Sequence, residues 1–176
     1  MHSIDAVEQQ WHQVAEIIKS TPSTESIPKL ITLGEQLVAR CHQVVLDLQR
    51  YSGTSHAVLV NISGRQRMLS QRMAKYYFAH LAGQRQTKTI TQFEKSLSEF
   101  EQGLASLTQA AENNREIKKA LKKVKAQFNF SQAGFNSLNE GNYTPHVISR
   151  TTESMLKRME KITQQYQLLH DELKNR

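Results

Sequence analysis

Between Leu48 and Phe93 the chain carries Arg50, Arg65, Arg67, Arg72, Lys75, Arg85 and Lys88 and not one Asp or Glu. The sixteen bases elsewhere are matched by sixteen acids, so the whole net charge of +7 resides in this segment. Positive charge gathered in this way is suited to an anionic ligand or partner. Because arginine is its main carrier, the planar guanidinium fork suits a small planar oxyanion that accepts two hydrogen bonds. Other chemistries find little support. The seven histidines are scattered without a His-x-x-x-His pair, and Cys41 is alone, so neither a metal site nor an internal disulfide is expected. No base, nucleophile and acid converge by spacing, so neither an enzyme nor a bound cofactor is expected.

The element that must position these arginines is a helix between Thr54 and Gly83, on the order of 45 Å long at the standard rise. At about 100° per residue, Val58, Ile62, Leu69, Met73 and Tyr76 share one side, which is expected to face a bundle. The opposite side holds Val60, Gly64, Arg67, Met68, Gln71, Lys75 and Phe78, with Asn61 and Arg72 at one margin. A mid-helix glycine costs about 1 kcal/mol relative to alanine, and close approach is what it offers in return. If the same helix of a second protomer approaches across a two-fold axis, Arg67 meets Arg67, and the pair becomes favourable when an anion bridges it. Periodicity also allows a plainer account. In that account Arg65, Arg67 and Arg72 are solvated or ion-paired, Met68 and Phe78 pack on the N-terminal helices, and Ser70 is filler.

Five further stripes with alternating steps of three and four predict the rest of an all-α fold. They run Ile4, Val7, Trp11, Val14, Ile18; Leu30, Gly34, Leu37, Cys41, Val44, Leu48, Tyr51; Ile90 to Ala111; Ile117 to Phe128, continued by Phe135 and Leu138; and Ile148 to Leu169. Such stripes pack side by side at shallow angles. The expected architecture is an elongated up-and-down antiparallel helical bundle, a four-helix core with an extra N-terminal helix pair. Val58, Ile62, Leu69, Met73, Phe93, Phe100, Val124, Phe128 and Ile162 are expected to be buried, and Cys41 to lie in the core. Gly53, Gly83 and Gly141 fall where helices should stop, and Thr144 with Pro145 where one should start. Asn113 with Glu116 and Thr89 with Gln92 have the capping-box spacing. The whole chain, 1–176, is expected to form one helical domain, with 1–53 as the helix pair and 54–176 as the bundle. At an offset of 117, Val7, Gln10, Trp11, Ser20, Pro28 and Ile31 fall on Val124, Gln127, Phe128, Ser137, Pro145 and Ile148, so 1–53 reads as a degenerate repeat of 115–176. No stretch reaches the roughly 20 apolar residues of a membrane-spanning helix, and Met1 to Gln10 lacks the apolar middle of a signal peptide.

The string from Asn61 to Lys75, NISGRQRMLSQRMAK, resembles the signature helix of the N-terminal domain of type IV pilus methyl-accepting chemotaxis transducers. It is similar, more loosely, to the P-box of bacterial nitrate/nitrite sensor histidine kinases. Asn61, Gly64, Arg67, Met68, Ser70 and Arg72 carry the resemblance. It implies an extracytoplasmic (periplasmic) helical sensor domain that works as a homodimer and passes a helix displacement to a membrane-bound signalling partner or output domain. It also implies that Arg67 binds nitrate or nitrite at the dimer interface, whereas for Arg65 and Arg72 ligand contact and a solvated or ion-paired role are equally open. The alternative is a protein-interaction module of such a signalling system, using Val60, Met68 and Phe78 as its contact and no small ligand. Nucleic acid is not an expected partner, because the bases lie on more than one side of the helix and no nucleic-acid motif accompanies them.

Overall fold

The computed structural model describes residues 2–53, 55–136 and 144–174, with no strand among them. Six helices follow one another: α1 (His2–Lys19), α2 (Ser26–Ser52), α3 (Ser55–Leu81), α4 (Thr87–Gln109), α5 (Arg115–Asn136) and α6 (Pro145–Lys174). The all-helical fold is thus the one the stripes predict. Among the described residues no helix is long and apolar enough to cross a membrane. The chain divides into two compact units, Met1–Thr54 and Ser55–Arg176.

The larger unit is a four-helix bundle. α3 packs against both α4 and α6, α5 packs against α6, and the α4–α5 seam is the thinnest of the four. Each of α4, α5 and α6 turns its apolar stripe inward: Phe93, Phe100, Leu104 and Leu107 meet Ile117, Leu121, Val124 and Phe128, and beyond them Ile148, Met155, Met159 and Ile162, all buried. Phe100 stacks on Phe128 with ring centroids 4.9 Å apart, and Phe93 meets Phe135 edge-on at 5.5 Å. Both geometries add to simple area burial, because each places complementary parts of the ring quadrupoles together.

Helix ends agree with the sequence in part. Gly53 ends α2 in the left-handed region at φ 63°, its N–H donating to the Gln49 carbonyl at 3.0 Å, and Gly83 follows α3 at φ 88°. Pro145 opens α6, and the preceding Thr144 N–H donates to the buried Tyr77 hydroxyl at 2.8 Å. Gly141 lies outside the described residues. Two capping assignments are corrected. Asn114 caps α5 by accepting from the Ile117 N–H at 2.9 Å. Asn113 is buried and does other work, donating to the Leu107 carbonyl at 2.6 Å and accepting from the Tyr166 hydroxyl at 2.5 Å. Thr89 lies inside α4 and is buried, while Gln86 holds the N-cap position without a side-chain bond.

The smaller unit is the α1–α2 hairpin. Gln10 and Val14 are buried in α1, and Gln10 donates across to Gln36 at 3.3 Å, but α2 has no buried residue. Cys41 is therefore not a core residue, since it is exposed. Two helices share a single interface, and a stripe broader than that interface keeps part of its width outside.

Candidate functional site

α3 has apolar residues on every side, so hydrophobic periodicity does not decide which face turns inward. The structure buries Leu59, Ser63, Gln66, Ser70, Met73, Tyr77 and His80, a line with steps of three and four, together with Leu69 and Tyr76 beside it. Relative to the expected apolar line, the inward face is turned toward the serines and glutamine. Leu59 takes the inward position in the first turns, which leaves Val58 38% exposed where burial was expected, and Ile62 only half-buried. The serines are tolerated in the core because each hydroxyl returns to its own helix. Ser63 donates to the Val60 carbonyl at 3.0 Å and Ser70 to that of Arg67 at 2.8 Å. His80 is buried at the same face, and burial, with Arg85 second, holds its pKa below the ordinary histidine value.

This rotation fixes the arginines. Arg65 reaches α4 and pairs with Glu99 at 3.0 Å, while Arg67 reaches α6 and pairs with Glu160 at 3.3 Å. Arg72 donates to Gln92 at 2.7 Å and lies 5.9 Å from the Tyr76 ring centroid, and Lys75 sits over the same ring at 4.5 Å. One guanidinium atom remains unmatched at Arg67: its Nε is buried and has no hydrogen-bond partner in the protein. Ser70 is fully buried, so it supports the Arg67 backbone from inside and does not share the outer face. Asn61, Gly64 and Met68 are half-buried on the outer side.

Gly64 is not the point where another described helix of the bundle approaches. A Cβ built there meets nothing within 4 Å. Close approach occurs at Gly103 of α4, where a Cβ would run into the Gln66 amide and come within 3.6 Å of Ile62 Cγ2. On the same outer side of α3, Phe78 is 38% exposed and packs edge-on against Tyr77 at 5.6 Å.

The structure thus brings Asn61, Gly64 and Met68 to the outer side of α3, while Arg67 turns toward α6 and Arg65 and Arg72 toward α4. Glu99, Glu160 and Gln92, which hold the three arginines, are absent from the sequence-based site. No local spacing could identify Glu99 and Glu160, which lie 34 and 93 residues from their partners. A shallow groove of about 210 Å³ between α4 and α5, with Glu101, Lys125 and Phe128 on its wall, lies apart from these groups.

Neither the curated proteins nor the solved structures give a match to this chain. Residues 52–130, spanning the last residue of α2, all of α3 and α4 and most of α5, match the PilJ family model, described as the type IV pili methyl-accepting chemotaxis transducer N-terminal domain.

Proposed function

We propose that the chain is a signal-input module of a pilus-type chemotaxis system, and that its ligand is a small oxyanion, nitrate or nitrite first, held by Arg67 at a two-fold contact along α3. The family match supports the signalling role, since it includes the whole arginine-bearing helix. The arrangement of Arg67 carries the ligand class. Its guanidinium already donates to a carboxylate oxygen, that of Glu160, and its buried Nε has a donor to spare. An oxyanion that accepts from both the Nε and a terminal nitrogen satisfies the fork better than a single carboxylate oxygen does. No other described helix of the bundle fills the space at Gly64, which suits the approach of a second α3 and with it a second Arg67. A ligand of this kind acts by population shift, favouring the packing in which Arg67 is bound to it over the one in which Arg67 is bound to Glu160.

The test is calorimetric titration of nitrate into wild type, Arg67→Ala and Arg65→Ala at equal ionic strength. Selective loss in Arg67→Ala is the expected result. Equal binding by wild type and Arg67→Ala rejects the assignment, and equal loss in both mutants reduces it to diffuse attraction by the basic segment. The exposed Phe78 favours a second reading, a protein-contact face with Val60 and Met68. A partner whose capture is abolished by Phe78→Ser, with no response to any oxyanion, would establish it.

A further inference from the structure

Gln66 is fully buried in the bundle, yet neither its amide nitrogen nor its amide oxygen has a hydrogen-bond partner in the protein. A buried primary amide without partners is costly, and an apolar side chain of similar volume avoids the cost. Its seat is equally particular. The amide rests against Gly103 in the C-terminal half of α4, where an added Cβ would collide with it. Glycine there is itself unfavourable within a helix. Two local rules are broken at one contact, and breaks of this kind gather at sites where function outweighs stability.

The flanking residues show what the contact is connected to. Arg65 and Arg67 lie on either side of Gln66 in sequence, about 200° apart around the helix. One is tied to Glu99 on α4 and the other to Glu160 on α6. α3 is therefore held from both flanks with the unpaired amide pressed inward between the two ties. The ties are unequal: the Arg65–Glu99 pair is shorter and less exposed, at 32% and 23%, than the Arg67–Glu160 pair, at 39% and 47%. The α6 tie is the more exposed to water and so the more strongly screened.

We infer that the Gln66–Gly103 contact is a poised latch between α3 and α4, and that release of Arg67 from Glu160 lets α3 roll about its Arg65–Glu99 tie and lift the Gln66 amide from its seat to where it can hydrogen-bond. In the latched packing the amide is unsatisfied; in the rolled packing it is not, so the two packings lie close in free energy and a modest ligand can choose between them. The coupling of this latch to an oxyanion rests on the function proposed above, whereas the latch itself does not.

Two substitutions push the latch in opposite directions. Gln66→Met replaces the unpaired amide with an apolar chain of similar length and favours the latched packing. Gly103→Ala evicts the Gln66 amide and favours the rolled one. Without any anion, Gln66→Met is expected to raise Tm by a few degrees and slow amide hydrogen exchange along α3, while Gly103→Ala speeds that exchange although alanine is the better helix former. Titrated with nitrate, Gln66→Met is expected to bind several-fold more weakly than wild type and Gly103→Ala several-fold more tightly. A lower Tm in Gln66→Met, or α3 exchange that both variants leave unchanged, overturns the latch. Opposite exchange shifts in a protein that binds no nitrate sustain the latch and retire the oxyanion reading instead.

Discussion

Arg67 on α3 donates to the Glu160 carboxylate on α6 at 3.3 Å, with both side chains close to half-exposed. An ion pair in that setting is worth about 0–1 kcal/mol, because water screens it and two long side chains must be ordered to make it. It is strong enough to orient the guanidinium and weak enough to be displaced. If Arg67 binds an oxyanion as proposed, Glu160 competes with it for the guanidinium. Glu160→Gln removes the competing charge and is expected to tighten nitrate binding by up to about fivefold, the equivalent of 1 kcal/mol, without loss of fold. Calorimetry on the two proteins checks this, and an unchanged or weaker affinity would remove Glu160 from the account.

Gly64 and Gly103 should respond to substitution in different ways. A Cβ at position 64 meets no described atom within 4 Å, so Gly64→Leu should leave monomer stability intact or raise it by up to about 1 kcal/mol through helix propensity. A second α3 closing on that face would collide with the leucine. Sedimentation velocity should therefore show weakened self-association in Gly64→Leu, and an association constant equal to that of wild type would show that this face is not the dimer contact.

The bundle core carries its own prediction. Phe128 is 2% exposed and stacks on Phe100. Truncating a buried phenylalanine to alanine costs about 3–5 kcal/mol in lost burial and residual cavity. Phe128→Ala should lower stability by that amount in urea denaturation. A loss below about 1 kcal/mol would mean that the α4–α5 seam is not packed as described.

Much of this molecule was legible in its sequence where one physical signal dominated. α4, α5 and α6 each have a single apolar stripe, and Phe93, Phe100, Val124, Phe128 and Ile162 are buried as that stripe requires. α3 was harder, because its inward line contains Ser63, Gln66 and Ser70 and its outer side contains Val60, Met68 and Phe78. Periodicity does set Val60, Met68 and Phe78 on the outer side, but it aims Val58 and Ile62 at the bundle in place of the serines and the glutamine. What brings Ser63, Gln66 and Ser70 inward is local hydrogen bonding by serine and the close fit over Gly103, and neither leaves a periodic trace. The hairpin erred in the other direction. Its α2 stripe is as regular as that of any bundle helix, but periodicity reports which side is apolar and not whether anything covers it, and Cys41 remained outside. The resemblance located the arginine helix, and the structure supplied the carboxylates that hold it.

The last prediction concerns Tyr166, whose hydroxyl donates to Asn113 Oδ1 and so ties α6 to the turn before α5. Burial, with Glu112 second, pushes its pKa up to about 12 from the ordinary value of 10.0. A pKa raised on folding means that the folded state favours the protonated phenol. This contribution is fully present below the unfolded pKa of about 10 and is lost as pH rises through the folded value. Wild type should accordingly lose stability on the order of 2 kcal/mol between about pH 10 and 12 from this group alone. Tyr166→Phe removes the titration but leaves Asn113 Oδ1 buried without its donor, which should cost about 1–3 kcal/mol at neutral pH. The two proteins should therefore differ most near pH 8 and converge as pH climbs, since lysine deprotonation affects both alike. Urea denaturation of each at intervals from pH 8 to the alkaline limit measures the difference directly. Parallel curves with a constant gap would show that the Tyr166 hydroxyl is not the titrating group.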